Sequence, residues 1–451
     1  MFCSRWGNVL LFRRACTQSA SKYLSVVHRS PTLTRRQFFS ASAFGFSAMA
    51  LAGAPSVLVA QESNLSGVAR LAIGFQFGDG KGPVSLPVEV FRNLVLVEGR
   101  INGSAPLRFI LDSGAASSII DAETSREIGL KPTEKTAISG VTGTAVGGRI
   151  GGAVVKLPGL ELVNHHFISL PLGELSAHLG KHVDGLLGQD LFSKMVVEMD
   201  YSSRLVRFSS PWEYDYQGQG DIIPLEIRKT PFVKLRLGTG SKRPAEGIFQ
   251  IDTGFSGSIH VYRSFADLHR ILEVVPKLTP DSAVGATGVL PISRGRIGNL
   301  LLGRFSIPAI IASFYPPSYS STGVGGHDGN LGGEVLRRFK VVFDYTRRRL
   351  ILEPSPNLLD RDENDMSGLS LIADGPELGR VRIFSVAPNS PADRSRLKEG
   401  DLILSVDGRL IESWDLDRIS KRFKQDGTTC DLIVRRDNKI RGVRLRLSRL
   451  I

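Results

Sequence analysis

Two acidic triplets, Asp112-Ser113-Gly114 and Asp252-Thr253-Gly254, are the residues of this 451-residue chain best placed to do chemistry. Each follows an apolar run, Leu107 to Leu111 in one case and Gly247 to Ile251 in the other. Each leads through small residues into a second apolar run, Ser118-Ile119-Ile120 and Ser258-Ile259-His260-Val261. A carboxylate set twice in one local frame predicts two acids brought face to face. Two carboxyl groups a few ångströms apart do not both ionise readily, so the pair shares a proton. The ionised member takes a proton from a water molecule, and the protonated member hydrogen-bonds a substrate oxygen. Chemistry of this kind calls for no metal and no other cofactor. Gly114 and Gly254 let backbone pass close to the acids.

The elements that must position these acids occur twice. Pro87-Val88-Glu89-Val90 is echoed by Pro224-Leu225-Glu226-Ile227, and each precedes an alternating strand pattern that ends near a glycine. The two triplets lie 140 residues apart. Val141-Thr142-Gly143-Thr144 then matches Ala286-Thr287-Gly288-Val289 at an offset of 145, and Gly185-Leu186-Leu187-Gly188 matches Gly329-Asn330-Leu331-Gly332 at 144. Val196 to Tyr201 matches Val341 to Tyr345, each running into an Arg-containing turn and a closing strand. Five landmarks in one order at a nearly constant offset predict a duplicated β domain.

On these residues the body of the chain, roughly 70–354, resembles the retropepsin-like aspartic proteases. The resemblance implies a mainly β fold with two acid-protease β-barrel lobes in one chain, at 70–210 and 220–354. It implies a dyad of Asp112 and Asp252 in a cleft that takes an extended peptide. Ser113 and Thr253 would bridge the two loops. Leu186-Leu187-Gly188 and Leu331-Gly332 would be the apolar-apolar-Gly elements packed against them. The second element fits less well, because Asn330 replaces an apolar residue. The triplets are followed by Ala115 and Phe255, where relatives with a hydroxyl stabilise the ionised dyad. Its absence predicts a raised dyad pKa and an optimum milder than about pH 2–3. Phe255 enlarges a position that is usually small and is expected to distort the second loop. The segments around Gly143 and Gly288 are candidate flaps; their other reading is plain hairpin turns.

Glu353 to Ser367 breaks the repeat. Its prolines and acids read as a polar linker over 355–367. A third unit follows at 368–451. It has strand patterns at 381–386, 400–408, 430–435 and 442–447, and an amphipathic stretch from Ser413 to Gln425 with Leu416, Ile419 and Phe423 at helical spacing. It resembles a PDZ domain, a small α/β barrel. Gly368-Leu369-Ser370-Leu371 then stands in the place of the carboxylate-binding loop. That implies capture of a peptide C-terminus, or of a peptide as an added strand; Ser370 stands where the family often has Gly. A packing module for the β lobes is the other reading.

The net charge of +13 does not imply nucleic acid. Residues 1–60 hold seven bases and no acid; without them 50 basic residues face 44 acidic ones, an ordinary solvated surface. Cys3 and Cys16 also lie there, so the remainder keeps only Cys430 and forms no intrachain disulfide. Thr34-Arg35-Arg36-Gln37-Phe38-Phe39 before a weakly apolar stretch, Ser40 to Ala60, resembles a twin-arginine export signal and implies a bacterial periplasmic destination. A mitochondrial presequence and an uncleaved anchor are its rivals, and membrane contact follows only if the segment is retained. His178 and His182, four apart, read as a solvated loop rather than metal ligands, and His165-His166 as surface. Arg435, Arg436, Arg441, Arg444 and Arg446 read as a solvated strand face. The sequence thus points to an aspartic-type endopeptidase with a peptide-binding module. A catalytically silent peptide-binding scaffold on the same fold is the alternative.

Overall fold

Alternation of apolar and polar residues builds most of the molecule. Leu94–Ile101, Leu107–Leu111, Pro231–Leu237 and Ala245–Ile251 are strands whose apolar side chains are buried. The computed structural model describes residues 74–78, 80, 82–238, 243–316 and 326–451. The arginine pair, the apolar stretch after it, Cys3 and Cys16 lie outside the described residues.

Two sheets share one plan. In the first, five neighbouring strands run Leu160–Leu170, Ile119–Asp121, Gly185–Leu187, Leu107–Leu111 and Leu94–Ile101. In the second, the same positions are held by Ile311–Phe314, Ile259–Val261, Gly329–Leu331, Ala245–Ile251 and Pro231–Leu237. Both centres are built alike. Gly185–Leu187 runs parallel to Leu107–Leu111, with Leu186 opposite Ile110. Gly329–Leu331 runs parallel to Ala245–Ile251, with Asn330 opposite Gln250. Each sheet also carries a long hairpin, Glu134–Gly140 with Gly143–Leu157, and Leu278–Gly285 with Gly288–Arg296.

A third sheet of six strands joins the two. Its order is Asp221–Pro224, Arg349–Pro354, Phe339–Asp344, Val196–Asp200, Leu205–Ser209 and Val84–Pro87. The central pair is made by corresponding strands of the two repeats, with Val197 opposite Phe343 and Met199 opposite Val341. Phe109, Phe249, Phe208 and Phe343 are fully buried in one continuous core beneath these sheets. Each such ring contributes about 1.5–3 kcal/mol relative to exposure.

The C-terminal unit has a sheet and core of its own. Leu369–Asp374 is an edge strand, followed by Arg380–Val386, Leu402–Val406, Thr429–Arg436 and Lys439–Arg446. The helix Leu416–Phe423, capped by Asp415, buries Leu416, Ile419 and Phe423. The segment before it is fastened to the second repeat. The buried Arg338 guanidinium donates to the carbonyls of Leu358 and Asp360. The buried Asp362 accepts from Ser258 Oγ and from the Ile311 N–H at 2.7 Å. Among the C-terminal arginines, Arg436 is not a solvated residue of a strand face: it forks onto the fully buried Asp401 at 2.6 and 2.7 Å.

Candidate active site

Each triplet sits in the turn that leaves an apolar strand. The N–H of Asp112 donates to Leu187 O at 2.9 Å, and that of Asp252 to Leu331 O at 2.9 Å. These bonds fix each loop to its Gly-containing partner strand. The elements after those strands close onto the same loops: Gln189 N–H donates to Ala115 O at 2.9 Å, and Gly333 N–H to Phe255 O at 2.6 Å. Gly188 N–H donates to Ser118 Oγ at 3.0 Å, and Gly332 N–H to Ser258 O at 2.9 Å.

The two loops then lock together. Ser113 N–H donates to Thr253 Oγ1 at 2.9 Å, and Thr253 N–H to Ser113 Oγ at 3.1 Å. Ser113 Oγ donates to Ile251 O and Thr253 Oγ1 to Leu111 O, both at 2.7 Å. Both side chains are fully buried. The lock brings the carboxyls of Asp112 and Asp252 together, each packed against the glycine of the other triplet. Gly114 and Gly254 are required here: a methyl on Gly114 would lie 2.5 Å from the Asp252 carboxyl carbon, and one on Gly254 would overlap Asp112.

Burial pushes both carboxyls above the usual range. Asp112 is pushed well above it, because the Asp252 charge adds to the burial while the Gly114 and Ala115 N–H groups oppose it. For Asp252, burial is opposed first by a hydrogen bond from Asn330 and then by the Gly254 N–H. The two carboxyls are thus raised unequally, Asp112 more than Asp252. Two buried hydroxyls without a protein partner, those of Tyr201 and Tyr345, lie near the dyad and interact electrostatically with Asp252 and Asp112 respectively.

The second loop is not distorted. Phe255 N–H donates to Asp252 O at 3.3 Å, as Ala115 N–H does to Asp112 O. The Phe255 ring lies over His260, centroids 3.8 Å apart, so its bulk is taken up by a side-chain contact rather than by backbone. Nor is His165 a surface residue. It is fully buried with Nε2 2.9 Å from Ser118 Oγ, and only His166 faces out, because the strand alternates. His178 is likewise no solvated loop residue; it lies on the helix Gly173–Leu179 with its ring 4.5 Å from Phe384.

Gly143 and Gly288 lie at the tips of the two hairpins. These tips meet, with Thr142 Oγ1 and Thr287 Oγ1 2.6 Å apart. A cavity of about 1770 Å³ contains both aspartates, both hairpins and the edge of the C-terminal unit at Leu369 to Leu371. At that edge the Gly368 N–H already donates to Asp365 Oδ1 at 2.8 Å, and the Leu369 N–H to Ser367 Oγ at 3.0 Å. Two of the N–H groups expected to meet a peptide carboxylate are thus occupied.

Sequence reasoning missed Gln250 and misread Asn330. Gln250 Nε2 donates to Gly114 O at 3.0 Å, a further tie between the two loops, and to Thr230 Oγ1 at 2.7 Å. Asn330, read as a flaw in an apolar element, donates to Asp252 Oδ2 at 2.8 Å. The signal was present: aligning the repeats puts two polar residues where the first repeat has Ile110 and Leu186.

Comparison with known proteins agrees with parts of this architecture. Residues 97–191 match a family model described as aspartyl protease, and residues 359–447 match the PDZ domain. The first match contains Asp112; Asp252 lies beyond it. Serine protease HTRA1 of Xenopus tropicalis is 40% identical over 57 residues, 13% of this chain, and the chain spans only 12% of that relative's length. The aspartic proteinase from Irpex lacteus aligns at 14% identity and a TM-score of 0.40, over 61% of this chain and 98% of that one. At that score the likeness carries no argument. The chain is mainly β, with a segment similar to the aspartyl proteases followed by a PDZ domain.

Proposed function

We propose that this protein is an aspartic endopeptidase whose catalytic dyad is Asp112 and Asp252, one from each of two tandem retropepsin-like lobes. The observation that carries the reading is the reciprocal Ser113–Thr253 lock, which holds the two carboxyls together at the floor of the cavity. Water bound between them loses a proton to the Asp252 carboxylate as it attacks the peptide carbonyl. Asp112, carrying the shared proton, hydrogen-bonds the carbonyl oxygen and stabilises the charge that develops there; the proton taken up by Asp252 then passes to the amide nitrogen as the C–N bond breaks and the amine leaves. The peptide lies extended between dyad and hairpins, and the hairpins exclude bulk water. The PDZ domain supplies a second peptide-binding edge on the same cavity, at the strand Leu369–Asp374. The twin-arginine-type segment belongs to the same proposal and makes the enzyme an exported one.

The test is an unbiased peptide library incubated with wild-type protein across about pH 3–8. Cleavage that disappears in Asp112→Asn, with an unchanged circular dichroism spectrum, supports the reading. Binding of peptides without cleavage by the wild type would make the protein a scaffold on this fold.

A further inference from the structure

We propose that Asn330 is a positioning residue that assigns the charge within the dyad: its amide makes Asp252 the carboxylate and leaves the shared proton with Asp112. The inference rests on the reading of the dyad as the catalytic centre, yet ionisation can be measured without turnover.

Asn330 is fully buried, and its hydrogen-bonding capacity is used. Nδ2 donates to Asp252 Oδ2 at 2.8 Å and to Gln250 Oε1 at 3.0 Å. Oδ1 accepts from the Tyr262 hydroxyl at 2.9 Å and faces His327 Nε2 at 3.3 Å. The orientation of the amide follows from chemistry. Its NH2 group faces two oxygens that accept, and a flipped amide would point an oxygen at a carboxylate. Gln250 is fixed in turn by Gly114 O and Thr230 Oγ1. The donor is thus held rigidly at the one atom where negative charge is to reside.

The first repeat has no equivalent. Leu186 and Ile110 occupy the register positions of Asn330 and Gln250, and neither side chain can donate. Backbone donors serve both acids: Gly114 and Ala115 N–H reach Asp112 Oδ1 at 2.8 and 3.0 Å, and Gly254 N–H reaches Asp252 Oδ1 at 3.0 Å. The asymmetry of side-chain donation to the pair therefore comes from one amide. Other titratable groups around the dyad are Tyr201 on the Asp252 side and Tyr345 on the Asp112 side. Tyr262 and His327 stand behind Asn330, and Asp328 and Arg228 lie near His327. His260, under Phe255, is held neutral by burial, with Arg294 adding to that.

The experiment isolates each acid in turn. In an Asp112→Asn background Asp252 titrates alone, followed by 13C NMR of labelled aspartate carboxyls; in Asp252→Asn, Asp112 does so. Adding Asn330→Leu is expected to raise the Asp252 midpoint by about 1–2 pH units, the worth of a charged hydrogen bond. The Asp112 midpoint stays within a few tenths of a unit. Should Asn330→Leu alone unfold by leaving Gln250 and Tyr262 unpaired, the double change Asn330→Leu, Gln250→Ile installs the apolar pair of the first repeat and carries the measurement. An Asp252 midpoint that does not move, or an Asp112 midpoint that moves equally, overturns the assignment. If the wild type proves unable to cleave any peptide, the proposed function fails, while these midpoints still decide where the proton sits.

Discussion

Around Asp112 the supporting side chains across the strand pair are Ile110 and Leu186; around Asp252 they are Gln250 and Asn330. The backbone frame is the same in both places, down to the bonds from Asp112 N–H to Leu187 O and from Asp252 N–H to Leu331 O. Behind the loops the two sides diverge again. Ser118 Oγ meets His165 within its own sheet, whereas Ser258 Oγ meets Asp362 from the segment that leads to the PDZ domain. The comparison teaches that a duplicated frame can be kept by its hydrogen bonds while its side chains specialise. One half stays apolar. The other becomes polar, and its Ser258 holds the segment that leads to the C-terminal domain.

The largest expected effect tests whether the halves are equally needed. Asp112→Asn and Asp252→Asn should each lower kcat/KM by about 10²–10⁴-fold, since each removes one partner of acid–base catalysis. Equal losses mean that the acid and base roles weigh alike; activity surviving in one variant would mean that a single carboxyl suffices. A smaller effect tests the symmetric part of the site. Ser113→Ala and Thr253→Ala each strip a buried N–H of its acceptor, at a cost of about 1–3 kcal/mol in denaturant unfolding. The double variant should lose less than the sum, with a coupling of about 0.5–3 kcal/mol. Simple additivity would show that the bonds do not form one lock.

Smaller again is the effect of giving Asp112 the donor it lacks. Ala115→Ser places a hydroxyl beside the first triplet. A donor there favours ionised Asp112 and so lowers the second ionisation of the pair. The singly protonated form then ends at lower pH, and the alkaline limb of kcat/KM moves down by about one unit. The acid limb, which belongs to the side of Asn330, stays where it is. Movement of the acid limb instead would reverse the assignment of the two roles.

Much of the architecture was legible because it rests on local rules. Strand alternation, the repeated offset and the helical spacing of Leu416, Ile419 and Phe423 are written in short windows of sequence. The pairing of the two triplets was legible for the same reason, since the frame around each recurs. Asn330 was visible but misjudged, because its value depends on which atom lies opposite, and that is set by register and not by its neighbours in sequence. Phe255 was misjudged in the same way: its space comes from His260, five residues on across a turn. Asp362 read as one acid among several in a linker. Its two partners, Ser258 and Ile311, are separated from it by about a hundred and about fifty residues, and no spacing rule connects them.

The smallest prediction concerns stability and comes from the half that carries Asp112. Because burial first, and then the Asp252 charge, raise the Asp112 carboxyl, the folded protein keeps a proton that the unfolded chain releases above about pH 4. The folded state then binds more protons than the unfolded one, so stability falls as pH rises from that point through the folded-state pKa. Below about pH 4 both states hold the proton and the penalty vanishes. Asparagine has no proton to hold. Asp112→Asn should therefore raise the melting temperature at pH 7 by about 2 °C, with the gain fading as pH is lowered toward 4. Asp252→Asn should gain less at pH 7, because Asn330 and the backbone donors already offset part of the burial cost of that carboxylate. Differential scanning calorimetry of the two variants across this range gives the comparison directly. A larger gain from Asp252→Asn would place the strained carboxyl in the second half and reverse the division of labour argued for the pair.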